Sequence, residues 1–255
     1  MNNNALQFNE LQQQASQLGL VGLLAHWNEL PAETVERLIA WEADTRRDRS
    51  LNRRIAAANL GRFKAVADFD WTWPKHAIRE VIDELFGLDF VRQATNVVFV
   101  GANGTGKTMI AKNLVHKAVM AGFGARFVTA AEMLRDLTEA SGSAGLRRAL
   151  RRYLQPDLLA IDEVGYLSYD NRYADLLFEV INGRYTRKAT VVTTNLPFAQ
   201  WPTVFPNATC TVTLVDRLTH HAEIVQIVAD SYRQYEARAE RQTRADTRAA
   251  RLRRA

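Results

Sequence analysis

Apolar residues recur at helical spacing through residues 5–30 and 33–60, and Leu30-Pro31 breaks that stretch into two or more amphipathic helices. In VERLIAWEADTRRDRSLNRRIAAANL, the apolar positions Val35, Leu38, Ile39 and Trp41 lead into an Arg-rich second half. Residues 67–75, ADFDWTWPK, interrupt the period with two Trp and a Pro and read as a non-helical linker. From Ala77 the pattern changes. IREVIDELFGLDFV predicts a helix, residues 96–100 a buried strand, 108–121 a helix and 125–130 a strand. AAEMLRDLTEA and LRRALRRYL predict two helices, residues 157–163 a strand and YADLLFEVINGRYTR a helix. The last two strands fall at 189–195 and 221–228. Strands alternating with helices predict an α/β body at 67–235 with a parallel central sheet covered on both faces. A small all-α N-terminal domain, residues 1–66, precedes it. The tail 236–255 ends in RQTRADTRAARLRRA, where Leu252 is the only large apolar side chain, so it forms no core.

The turn between strand 96–100 and its helix carries the first chemistry. GANGTGKT, Gly101 to Thr108, fits G-x-x-x-x-G-K-[ST] without mismatch, in the strand-loop-helix setting that this phosphate loop requires. Gly101, Ala102, Asn103, Gly104, Thr105, Gly106, Lys107, Thr108 and Met109 are the nucleotide-binding candidates. Backbone amides of Gly104 to Thr108 suit the β- and γ-phosphates of ATP at a helix N-terminus, and Lys107 supplies charge on the γ-phosphate. The Thr108 hydroxyl and the Asp162 carboxylate are candidates to hold Mg²⁺. Asp162 ends the apolar run LLAID, 55 residues beyond Lys107, and Glu163 follows as the candidate base for the attacking water. A base of that kind argues for a hydrolase and against a small-molecule kinase, for which no acceptor domain is visible. Asn195 ends ATVVTTN, where the next strand reaches the ligand end of the sheet.

Composition narrows the setting. The 255 residues are 47% hydrophobic, enough for a sizeable core, yet no apolar run approaches the ~20 residues of a bilayer span. MNNNALQFNELQQQ lacks the features of a signal peptide, and the lone Cys210 excludes an internal disulfide. These features predict a soluble cytoplasmic protein. The net charge of +5 is unevenly placed: residues 37–64 carry eight basic and three acidic groups, and residues 233–255 carry eight Arg and three acids. Arg46, Arg47, Arg53 and Arg54 lie in the first block, and Arg147, Arg148, Arg151 and Arg152 form a third cluster on one helical face. Arg-rich patches in three places predict a polyanion partner, double-stranded DNA, contacted through phosphates. His220-His221 has no acidic or Cys partner at ligand spacing, and no metal role is assigned to it.

From about residue 15 to 235 the chain resembles the IstB family, the helper ATPases of IS21-type insertion elements, which is similar to the DnaC helicase loaders of the AAA+ group. The resemblance rests on GANGTGKT, LLAIDEVGYLSYD, LLFEVINGRY, ATVVTTNLPFAQW, DRLTHHAEIVQI and DSYR, and on EADTRRDRSLNRRIAAANL followed by FDW. It implies a P-loop AAA+ three-layer fold with a reduced lid, since 22 residues follow Arg233. It also implies Asn195 as sensor 1, Arg217 as an arginine finger reaching a neighbouring subunit's ATP, and Arg233 as the sensor-2 arginine. Spacing alone does not separate Arg217 from Arg184 or Arg187 as the finger. The expected activity is ATP hydrolysis by a homo-oligomer on DNA that assists a partner transposase. A DnaC-like helicase loader and a nucleotide-gated DNA scaffold are the alternatives.

Overall fold

The computed structural model describes residues 3–73, 79–166, 170–205, 208–238 and 241, so most of the Arg-rich tail lies outside the described residues. The chain divides into two compact units, Met1–Arg53 and Arg54–Ala255. The first unit holds α1 (Asn3–Gln17), α2 (Val21–Ala25) and most of α3 (Ala32–Ala58). Pro31 precedes α3, and its carbonyl accepts the amides of Thr34 and Val35 in the opening turn. Ala15, Trp27, Val35 and Ile39 form a small buried core, with Leu11, Leu20 and Leu24 packed around it. The boundary between the units falls inside α3, so residues 54–66 belong to the larger unit rather than to the helical one.

The larger unit is built on β1 (Asn96–Gly101), β2 (Ala125–Thr129), β3 (Leu158–Val164), β4 (Ala189–Thr194) and β5 (Ala222–Ile227). They form one sheet in the order β2-β3-β4-β1-β5, with all four pairings parallel. Helices α4 (Arg79–Leu85), α5 (Asp89–Arg92), α6 (Lys107–Met120), α7 (Ala130–Thr138), α8 (Gly142–Leu154), α9 (Asn171–Arg184) and α10 (Ala208–Thr219) connect them. Residues 232–238 are helical after β5. Chain order reverses at β1, where the connection to β2 runs one way and β5 lies on the other side; ligands of parallel sheets bind at such a point.

One sheet face presents Val98, Val128, Leu159, Ile161 and Val192 to Met133, Leu134, Leu150, Leu177, Val180 and Leu214 of α7–α10. Because side chains alternate along a strand, Phe99, Asp162 and Thr193 belong to the opposite face, toward α6. Periodicity does not reveal α10. Its sequence ATCTVTLVDRLT is rich in β-branched residues, each costing a few tenths of a kcal/mol in a helix. Burial of Leu214 and Leu218, worth roughly 1.5–3 kcal/mol apiece, overrides that preference.

Candidate nucleotide-binding site

The loop after β1 closes through two glycines in the left-handed region, Gly104 at φ +85° and Gly106 at φ +95°. Gly106 is also the residue that precedes α6, and a Cβ there would lie 2.3 Å from the Phe69 ring. Lys107 is buried, and its Nζ donates to the carbonyls of Gly101 at 2.7 Å and Ala102 at 2.8 Å. Burial pulls the Lys107 pKa below its ordinary value, and the nearby Arg233 pulls the same way, against Asp162 and Glu163. Asn103 to Met109 line one cavity of about 430 Å³. Gly101 and Ala102, both candidates from sequence, stand behind it and act through the carbonyls that hold Lys107.

The acidic pair occupies a β-bulge. Ile161 pairs with Val192, but Val164 pairs with Thr194, so three steps along β3 match two along β4. Glu163 takes up the extra residue at φ +62°, a conformation costing a non-glycine residue on the order of 1 kcal/mol or more. Ile161 and Val164 therefore both enter the same apolar core, while Asp162 and Glu163 both line the cavity. A regular strand would send them to opposite faces. Asp162 is buried, and its carboxylate accepts the Thr108 hydroxyl at 3.1 Å on Oδ1 and 3.0 Å on Oδ2. The Thr193 hydroxyl donates to the same Oδ1, and Glu163 donates its amide to that hydroxyl at 3.0 Å. Among the described residues no ion pair engages Asp162. A buried, unpaired carboxylate beside a hydroxyl offers hard oxygen donors of the kind Mg²⁺ takes when it keeps most of its waters. Thr108 and Asp162 therefore fit that ion.

Asn195, following β4, and Arg233, in the helical turn after β5, line the same cavity. Its remaining wall went unread in the sequence. Phe63 precedes the linker, Phe69 and Trp73 come from it, and Tyr232 comes from the C-terminal side. Trp73 contacts the Tyr232 ring edge-on at 5.4 Å. Asn113 anchors the linker to α6, accepting the Val66 amide at 3.0 Å and donating to the Lys64 carbonyl at 2.9 Å. The available signal was the density of aromatic residues in an otherwise polar stretch.

Arg217 lies in the last turn of α10 and does not line the cavity. Its guanidinium sits over Phe178 at 5.3 Å and Tyr185 at 5.6 Å, and it forms no ion pair with Asp216 or Glu223. Arg184 is ruled out as a finger. It is 1% exposed and donates to the carbonyls of Tyr153 at 2.7 Å, Pro156 at 2.9 Å and Ala189 at 2.6 Å. Burial brings its pKa down to about 9, with Asp157 opposing, which leaves it charged at neutral pH. Arg187 is exposed. The rings of His220 and His221 lie 4.1 Å apart at the turn between α10 and β5.

Arg147, Arg148, Arg151 and Arg152 project from the exposed face of α8, opposite buried Ala149, Leu150 and Tyr153. Arg152 is tied to Asp136 at 2.7 Å, and among the described residues the other three form no ion pair. In α3, Arg46 pairs with Glu42 and Arg47 with Asp44, whereas Arg53 is exposed and has no ion pair among the described residues. Arg54 donates to the Val119 carbonyl at 3.3 Å. No helix among the described residues is long and apolar enough to cross a membrane.

Comparison with known proteins gives this geometry a family. The family model described as IstB-like ATP binding protein matches residues 3–253. The putative ATP-binding protein of insertion sequence IS232 from Bacillus thuringiensis subsp. berliner is 33% identical over 229 residues, covering 89% of this chain and 92% of that one. The corresponding IS21 protein of Pseudomonas aeruginosa is 34% identical over 197 residues, covering 77% and 74%. Among solved structures, the DnaC helicase loader is 18% identical with a TM-score of 0.51, covering 69% of this chain and 98% of that one. DnaA bound to AMPPCP and single-stranded DNA is 19% identical with a TM-score of 0.53, covering 65% and 50%. Both are likenesses of fold. With a P-loop AAA+ sheet and a family match along nearly its whole length, the chain belongs to the IstB-like ATP-binding proteins of IS21-type insertion sequences.

Proposed function

We propose that this protein is a cytoplasmic ATPase that assembles as a homo-oligomer on double-stranded DNA and assists a partner transposase in insertion. The observation carrying the hydrolytic part is the bulge that brings Asp162 and Glu163 into the same cavity as Lys107 and Thr108. Backbone amides of the loop and Lys107 bind the phosphates, and the aromatic wall takes the base. Thr108 and Asp162 hold Mg²⁺, which when bound offsets charge on the phosphates. Glu163 accepts a proton as water attacks the γ-phosphorus, and the bond to the β,γ-bridging oxygen breaks to give ADP and phosphate. Asn195 orients the water and γ-phosphate, and Arg233 stabilises the charge that develops there. The relatives are named for insertion sequences, which favours a transposition helper over a helicase loader built on the same fold. Arg53, Arg147, Arg148 and Arg151 are the DNA contacts in best standing, because among the described residues no acid pairs with them.

Turnover by the purified protein tests the reading. Lys107→Ala should abolish ATP binding, while Glu163→Gln should bind ATP and lose at least ~10²-fold in rate. Normal turnover by the Gln variant would remove Glu163 as the base.

A further inference from the structure

Three threonines of β4 have separate tasks. Thr190 accepts from the Arg184 Nε at 3.0 Å, and Thr194 accepts the Leu196 amide at 3.1 Å in the following turn. Thr193 alone faces the acidic pair, and it is 1% exposed. Its hydroxyl has one hydrogen and is used in both directions. The hydrogen goes to Asp162 Oδ1, and the oxygen receives the Glu163 amide. That amide lies in the bulge, outside the regular ladder, and leaving it without an acceptor would be costly. The left-handed backbone at Glu163 persists only where its surroundings enforce it.

Resting on the ATP-hydrolysis reading, we propose that Thr193 is a positioning residue that sets both acidic groups at once. It orients Asp162 toward Thr108, and it pins the Glu163 backbone so that the carboxylate is presented to the cavity. Valine has the same shape and lacks the hydroxyl, so Thr193→Val separates this role from packing. Serine keeps the hydroxyl and gives up only a methyl group.

The full chain is assayed with a fluorescent ATP analogue, first in EDTA and then across a Mg²⁺ titration, alongside turnover. Thr193→Val should bind the analogue in EDTA within about twofold of the parent, since the loop is untouched. It should need roughly tenfold more Mg²⁺ for the Mg²⁺-dependent gain in affinity, the size of effect expected from losing a partner that orients a metal ligand. Turnover should fall by about 10- to 100-fold, and Thr193→Ser should recover both properties within about threefold. If Val fails to fold, Thr193→Ala supplies the same comparison. A parent-like Mg²⁺ requirement in Val or Ala would overturn the proposal. Equal defects in Ser and Val would overturn it too, because the methyl group rather than the hydroxyl would then be responsible. Should the parent protein bind ATP without hydrolysing it, the ATPase reading fails alone, and the Mg²⁺ titration still decides the role of Thr193.

Discussion

Trp73 donates its indole N–H to the backbone carbonyl of Asp230 at 2.7 Å, joining segments 157 residues apart. The Tyr232 amide, two residues on, donates to the Gly104 carbonyl at 3.0 Å, and Phe69 lies against Gly106. Lys64 and Glu236 close the same junction with an ion pair at 2.7 Å. The linker and the C-terminal segment thus meet over the phosphate loop, and both lend aromatic rings to its cavity.

Base binding follows from that arrangement. Phe69→Ala or Tyr232→Ala should weaken ATP by roughly 5- to 30-fold, the worth of about 1–2 kcal/mol of stacking and burial. Inorganic triphosphate should bind both variants like the parent, since it touches only the loop. Trp73 fluorescence should change on adding ATP and stay unchanged in Lys107→Ala. Equal losses for ATP and triphosphate would show that the rings support the loop rather than the base.

Lys107 gives a prediction about protons. Its pKa lies below the ordinary value of 10.5 in this structure, mainly through burial. Bound phosphate favours the charged form and raises the pKa again, so binding takes up a fraction of a proton at alkaline pH. Affinity should therefore fall as pH rises toward the ordinary lysine range. Calorimetry in buffers of different ionisation enthalpy should register the uptake at alkaline pH, as a fraction of a proton per site. Lys107→Met, if it retains weak binding, should show none.

Arg184 is a matter of stability. It gathers carbonyls from the α8–β3 turn and the start of β4, and Arg184→Met would leave them without a donor. A loss of about 3–5 kcal/mol is expected, read from chemical denaturation. Arg187→Ala, on an exposed side chain, should stay within about 0.5 kcal/mol of the parent.

The sheet and the phosphate site were legible because both are local in sequence. Buried strands appear as short apolar runs; Lys107 and Thr108 follow the glycine loop after β1, and Asp162 and Glu163 lie near the end of β3. The bulge was not legible, since nothing in LLAIDEV shows that one residue lacks a partner across the sheet. Thr193 and the aromatic wall depend on segments that meet only after folding. Arg184 resembled any surface arginine at a helix end until its carbonyl partners were in place.

DNA binding should follow the free arginines of α8. Replacing Arg147, Arg148 and Arg151 with Ala should flatten the plot of log affinity against log salt by roughly 0.9 per lost phosphate contact. Arg152→Ala should affect that slope less, because Arg152 is held by Asp136, which also accepts the Tyr153 hydroxyl at 2.6 Å. An unchanged slope in the triple variant would make α8 ordinary solvated surface.

Arg217 tests whether the ATP site is shared between subunits. It lies away from its own cavity, held on the rings of Phe178 and Tyr185 with no ion pair to an acid among the described residues. A half-buried cation held in this way suits charge stabilisation in trans, an effect worth about 10³-fold or more in phosphoryl transfer. Arg217→Ala should fold and bind ATP on its intact loop, yet hydrolyse poorly, and parent turnover should rise more than linearly with protein concentration. Mixing Arg217→Ala with Lys107→Ala provides the sharper measurement. Each variant is inactive alone, but an interface joining the intact loop of the first to the intact Arg217 of the second regains a working site. Activity should therefore reappear in the mixture and peak near equal proportions, with DNA raising it by concentrating subunits. Co-assembly of the two without recovered turnover at any ratio would remove Arg217 as the finger and leave exposed Arg187 as the next candidate.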